Sequence, residues 1–319
     1  MPQRTDKRDT LALAASLSGI DFEWSDGVDG SKVPDKAIPE TWDREETNAT
    51  FGCWRAHMNI IQKIVKEQIQ SALIMEDDAD WDVNIKSQLV EFAHGTRYIM
   101  QQENTVTNSP YGDGWDALWV GHCGARNIES IDQRYWVTRD DPTAVPQTLW
   151  GYPRRQPNLT PASLNGTFNR VVYRPYRGLC MYGYALSLQG ARRILEDQAL
   201  EAAQVSDRAL NRLCSHLSTS CLAPYPTLFG SHRPAGDPNK GSDRVTIGGD
   251  VKLKAETGQI VFSTKLNFKQ LIPIGDDTII KSQWPDQTLL KESNGTLEIP
   301  RGEGVWVTRK EYSDYPRPS

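Results

Sequence analysis

The chain has 319 residues, with 36 Lys plus Arg against 41 Asp plus Glu and a formal charge of −5. That length sets a prior of about two domains and allows a core large enough for an enzyme. The acidic balance argues against nucleic acid as the main partner, while 24% charged and 38% apolar residues with a mean hydropathy of −0.57 argue against disorder.

Leu11 to Ile20, the longest uncharged stretch near the start, is ten residues. A membrane span needs roughly 20, so neither a transmembrane helix nor a secretory signal is expected. Thr5 or Asp6 is placed to cap a helix over residues 6–18, with Leu11, Ala14, Ala15 and Leu17 on one face and Gly19 as its stop. Ile20, Phe22 and Trp24 then alternate with polar neighbours as a half-buried strand does, up to the Asp26-Gly27 and Asp29-Gly30 turn signals. From Gly52 the period becomes helical, with Trp54, Met58, Ile61, Ile64 and Val65 in or beside one stripe. Ala72-Leu73-Ile74-Met75 reads as a central strand buried on both faces, ending in Glu76-Asp77-Asp78-Ala79-Asp80-Trp81-Asp82.

Ile85, Leu89, Phe92 and Ile99 propose a further helix, followed by a strand from Ala117 to Val120. This alternation predicts an α/β layer structure with a largely parallel sheet. Residues 140–178 lack a clear period and read as a long loop. Met181 to Leu186 is expected as a strand, Leu188 to Gln198 as a helix, and Ser206-Asp207 as the start of another helix carrying Leu210, Leu213 and Leu217. Short β-like pieces at Gln259 to Ser263, Thr278 to Lys281 and Gly304 to Thr308 form a C-terminal extension, dividing the chain into 1–245 and 246–319.

Five scattered cysteines (Cys53, Cys123, Cys180, Cys214, Cys221) contain no C-x-x-C pair, so neither a zinc ribbon nor a dense disulfide framework is supported. Sequons begin at Asn48, Asn158, Asn165 and Asn294, a mild hint of a secretory compartment. No P-loop, G-x-G-x-x-G or G-x-S-x-G pattern occurs. The acids at the strand tip are suited to a hard divalent cation, because Mg²⁺ and Mn²⁺ prefer oxygen ligands and leave positions for phosphate. Asp78, Asp80 and Asp82 imitate an EF-hand, but Val83 and Leu89 stand where that loop needs Gly and Glu. The plain alternative is a solvated acidic loop capping the next helix.

The ordered motifs resemble glycosyltransferase family 25, most closely its fungal members, over residues 3 to about 245. Arg4-Thr5-Asp6-Lys7-Arg8 is similar to its R-x-D-R segment, Trp24 to Gly30 to its w-x-D-a-V-d-G turn, and Gly52 to His57 to its G-C-x-x-S-H helix start, with Ala56 in place of serine. Ala72 to Asp78 resembles A-L-I-L-E-D-D, and Trp115 to Gly121 resembles W-D-x-L-x-L-G. Tyr182 to Leu195, Ser206-Asp207 with Leu210, and Ser242-Asp243 resemble the later motifs. The resemblance implies a GT-A-like, Rossmann-type sandwich and an inverting, Mn²⁺- or Mg²⁺-dependent transfer of a sugar, galactose being the expected one, from a UDP-sugar to a hydroxyl of a glycan or glycoprotein. It also implies an N-terminal anchor and a first strand ahead of residue 4, hence a Golgi or secretory-lumen setting. Such a chain should show a vacant or substituted strand position at the sheet's nucleotide edge.

Asp78 and Asp80 are the first choice for metal and diphosphate contact, with Glu76 and Asp77 as the alternative set and His232 as a late addition to the shell. Asp207 is the candidate base, against the plainer role of helix N-terminal stabilisation. Arg4 and Arg8 suit phosphate, or are simple surface arginines. His57 is a donor-site candidate or a satisfied core histidine. Trp81, Trp115 and Trp136 are expected to pack in the core before they stack on sugars. The rivals are a catalytically impaired carbohydrate- or nucleotide-sugar-binding protein of the same fold and a sugar nucleotidyltransferase, whose Gly-rich loop is absent.

Overall fold

The structure is a computed structural model describing residues 1, 3–201, 203–244, 250–272, 278–294 and 297–314. The expected division after residue 245 lies outside the described residues. The strands are β1 (Ser71–Met75), β2 (Ala79–Trp81), β3 (Ala117–Gly121), β4 (Gly124–Asn127), β5 (Gln133–Thr138), β6 (Arg170–Tyr173), β7 (Pro175–Leu179), β8 (Gly183–Ser187), β9 (Cys221–Tyr225), β10 (Phe229–Arg233), β11 (Glu256–Thr257), β12 (Ile280–Lys281), β13 (Glu292–Ser293) and β14 (Glu303–Val307). The α-helices are α1 (Thr5–Ser18), α2 (Asn48–Glu67), α3 (Ile85–Ile99), α4 (Leu188–Glu196), α5 (Ser206–Ser215), α6 (Phe268–Leu271) and α7 (Arg309–Asp314).

The central sheet has seven strands in the order β1-β8-β3-β9-β6-β5-β14. The α/β expectation holds, but the sheet is mostly antiparallel: β3 with β9 is its one parallel pair. The β1–α3–β3 pattern does make those two strands run the same way, since both lie antiparallel to β8. It does not make them touch, and β8, arriving later in the chain, takes the place between them.

β1 is therefore an edge strand with Leu73 44% exposed, not a central strand buried on both faces. Among the described residues no strand pairs with its outer edge. Residues 20–24 form no strand either. Ile20 and Phe22 pack beside α1, but without a neighbouring ladder their alternation cannot become sheet.

α1 ends at Gly19, whose φ of 59° is the left-handed stop the sequence proposed; its N-cap is Arg4 without a side-chain cap bond, not Thr5 or Asp6. α2 begins at Asn48, earlier than expected, because Thr47 accepts the Thr50 N–H at 3.1 Å. Gly52 lets α2 press on the preceding loop, since a Cβ there would lie 2.2 Å from the Val28 carbonyl.

The 140–178 loop turns into β6 and β7 at its end. It is anchored by the buried pair Arg170–Asp141 (2.6 Å), with Arg170 also donating to the carbonyls of Thr143 (2.8 Å) and Pro226 (2.6 Å). The C-terminal residues form less strand than expected: of Gln259–Ser263 only the bridge of Ser263 to Asp82 is sheet-like. They are nonetheless woven into the rest, because β14 pairs with β5 and β11 with β10. Trp81, Trp115 and Trp136 are buried core residues, at 0%, 5% and 6% exposure. Two disulfides, Cys123–Cys180 and Cys214–Cys221, leave Cys53 as the free thiol. Among the described residues no helix is long and apolar enough to cross a membrane.

Candidate active site

β1 ends where the acids begin, and each acid meets a different neighbour. Asp77 accepts a bond from Lys7 Nζ at 2.9 Å. Burial works to raise the Asp77 carboxyl, yet Lys7 and nearby cations hold it below the usual range. Lys7 also lies 3.8 Å from Asp243, which pairs with Arg4. Arg4 further donates to Asp6 and to the Lys240 carbonyl. Motifs about 240 residues apart thus converge here. Arg8 turns away from this group, pairing with Asp26 and lying over the Trp24 ring at 4.7 Å.

Asp78 Oδ2 accepts from Arg233 (2.8 Å) and Ser231 (3.0 Å), while Asp78 Oδ1 is buried without a hydrogen-bond partner among the described residues. Asp80 is fully buried and its oxygens are occupied. Oδ1 accepts the N–H groups of Trp81 (2.8 Å) and Lys265 (3.2 Å), and Oδ2 the hydroxyls of Thr257 (2.6 Å) and Ser263 (2.5 Å). His232 alternates along β10 with Ser231 and Arg233, so it meets Thr257 (3.1 Å) and lies 3.9 Å from Asp80. Burial pulls His232 down, and it pulls the Lys265 ammonium down even though Asp80, Asp78 and Asp77 face it.

A second group adjoins the first. Glu76 Oε1 is 3.7 Å from His57 Nε2, and His57 Nδ1 is 2.9 Å from the Tyr184 hydroxyl. Burial, against the pull of His57, pushes the Glu76 carboxyl up. Cys53, one helical turn before His57, reaches Ser206 at 4.0 Å. Asp207 follows Ser206 at the start of α5, where its Oδ2 accepts the Cys180 N–H at 3.2 Å.

Arg4, His57, Glu76, Asp77, Asp78, Asp80, Asp207 and His232 therefore fall in two adjoining groups, with Arg8 to one side. Sequence reading passed over Lys7, Cys53, Tyr184 and Lys265 as individual residues. Arg233 stood in a quoted segment beside His232, whereas Lys265 carries no sequence signal at all. Chemically, the first group offers one unpartnered carboxylate oxygen flanked by Lys7 and Arg233, a setting that suits a cation and the phosphates it would accompany.

Residues 1–109 match the family described as "Glycosyltransferase family 25 (LPS biosynthesis protein)". A "Glycosyltransferase 25 family member" of Aedes aegypti is 21% identical over 213 residues, 63% of this chain and 28% of the relative. Another of that description, from Anopheles gambiae, is 20% identical over 212 residues, again 63% of this chain and 28% of the relative. The chain thus spans little more than a quarter of the length of the curated relatives it matches. Its N-terminal third and these distant relatives thus make the chain similar to glycosyltransferase family 25.

Proposed function

We propose that the chain carries a metal-dependent, inverting glycosyltransferase site that takes a UDP-sugar as donor, galactose being the favoured sugar, and a glycan or glycoprotein hydroxyl as acceptor. The observation that carries this reading is Asp78 Oδ1, a buried carboxylate oxygen without a partner, at the end of β1 among Lys7, Arg233 and Asp77. A divalent cation such as Mn²⁺ would sit on that oxygen and offset charge on the departing diphosphate. Asp77 is the neighbouring carboxylate, Glu76 is turned toward His57, and Asp80 and His232 order the loop beside the ion. Lys7 and Arg4 bind and orient the donor phosphates. Asp207, fixed through Cys180 N–H, is the group that takes the acceptor proton. A secretory-lumen setting is supported by the two disulfides.

The ion pair between Arg233 and Asp78 favours one rival, a protein that binds nucleotide sugar without turnover. Thermal stability measured with a panel of UDP- and GDP-sugars, with and without Mn²⁺, separates these readings. The proposal expects a metal-dependent shift with a UDP-sugar, together with transfer that Asp78→Asn abolishes in a folded protein. Full transfer by Asp78→Asn refutes the assignment. A shift without transfer supports the binding protein.

A further inference from the structure

Cys53 and His57 stand four residues apart on α2 and so share a face. Glu76, the first residue beyond β1, approaches the same face from the sheet. One ligand atom from each of the three, a thiol sulfur, an imidazole nitrogen and a carboxylate oxygen, lies within 4.8 Å of the other two. His57 Nε2 and Glu76 Oε1 are 3.7 Å apart. Tetrahedral zinc, with bonds of about 2.0–2.3 Å, holds its ligand atoms roughly 3.3–3.8 Å from one another. Only a small contraction separates the two geometries.

Tyr184 supplies the outer support such a site needs. It sits on β8 opposite Ile74 of β1, and its hydroxyl is 2.9 Å from His57 Nδ1. With the Nδ1 proton donated to that hydroxyl, Nε2, 3.7 Å from Glu76 Oε1, keeps its lone pair for a metal. His57 is buried, whereas Cys53 and Glu76 are partly open, leaving a fourth position for water. The donor set is soft compared with the all-oxygen acids of Asp77 and Asp78, and thiolate with imidazole selects zinc over Mn²⁺ or Mg²⁺.

We propose that Cys53, His57 and Glu76 form a zinc site with one open coordination position, distinct from the hard-cation site at Asp78. The inference does not depend on the transferase reading.

The test uses the full chain without reductant, stripped by chelator and titrated with Co²⁺ as a spectroscopic stand-in. Because the other four of the five cysteines are in disulfides, a thiolate-to-cobalt charge-transfer band reports Cys53 alone. The expected result is a near-ultraviolet band that saturates at equimolar metal and is bleached by Zn²⁺ but not by excess Mn²⁺. Cys53→Ser, checked for native circular dichroism, should lose the band. Tyr184→Phe should keep it while weakening zinc binding by about tenfold. Absence of the band in the wild-type chain, its survival in Cys53→Ser, or its displacement by Mn²⁺ would each overturn the proposal. None of these readouts requires sugar transfer, so a failed transferase assay leaves them intact.

Discussion

Replacing Cys123 and Cys180 together by alanine opens a loop of 57 residues that runs from β4 to β7 and carries the Cys180 N–H to Asp207. Alanine is preferred because serine would leave a hydroxyl to satisfy at the buried Cys123 position. If the cross-link acts mainly by restricting the unfolded chain, its loss costs about 4 kcal/mol at 25 °C. The same relation gives about 2 kcal/mol for Cys214–Cys221, which closes only seven residues. The two double-alanine variants therefore form an internal comparison in which the longer loop loses more, by about 2 kcal/mol. Urea unfolding followed by tryptophan fluorescence measures both, with stability taken from the midpoint and slope. Equal losses in the two variants, or a loss below about 1 kcal/mol for the longer loop, would refute the loop-entropy reasoning.

Two further predictions concern buried charge. His122 is fully buried, with Nε2–H donating to the Pro224 carbonyl at 2.9 Å and Nδ1 unpartnered, and burial holds it down to about 4 from an ordinary 6.5. The unfolded chain binds this proton first, so stability present above pH 6.5 is lost as pH falls toward 4, by about 3 kcal/mol from this residue. Burial pushes Asp82 up to about 6, which acts in the opposite direction over part of that window, so the comparison must be with His122→Gln at each pH. That variant should show a flatter acid limb in urea midpoints, and an unchanged slope would count against the assignment. Separately, Arg170→Met should cost about 3–5 kcal/mol by stranding the Asp141 carboxylate, while Arg170→Met with Asp141→Leu should cost less. A double variant less stable than the single one would show that the pair itself is strongly stabilising.

Local chemistry was legible in the sequence where neighbouring residues decide it. The apolar run of β1, its acidic tip, α3 and the Gly19 stop all follow from spacing along a few residues. Arg4 and Asp243 each stood in a quoted segment, but nothing in either segment records that the two would pair. Strand direction was not legible either, because nothing near Ala72–Met75 records that β8 will pair antiparallel beside it. The β5 and β6 strands lay in segments rich in Arg and aromatics, whose burial depends on partners elsewhere in the chain. Asp80 shows the same limit at the site. Its residue type and spacing suit a cation, but Thr257, Ser263 and Lys265, almost 200 residues later, occupy its oxygens. Cys53 and His57 share a face of α2 by spacing alone, but Glu76 reaches them only through tertiary packing, which the spacing does not display.

The pairing of β14 with β5 bears on how the protein is made. During synthesis β5 emerges some 165 residues before the strand that covers its edge, and Asp80 emerges well ahead of Thr257 and Ser263. A nascent chain halted near residue 245 would hold an uncovered sheet edge and a buried carboxylate without two of its hydroxyl partners. The acidic loop therefore gains its final shape only after residues 257–265 have left the ribosome, far behind the loop itself. Chaperone demand should fall on that interval, and folding of the region with the family-like motifs is tied to a later segment that carries none of them.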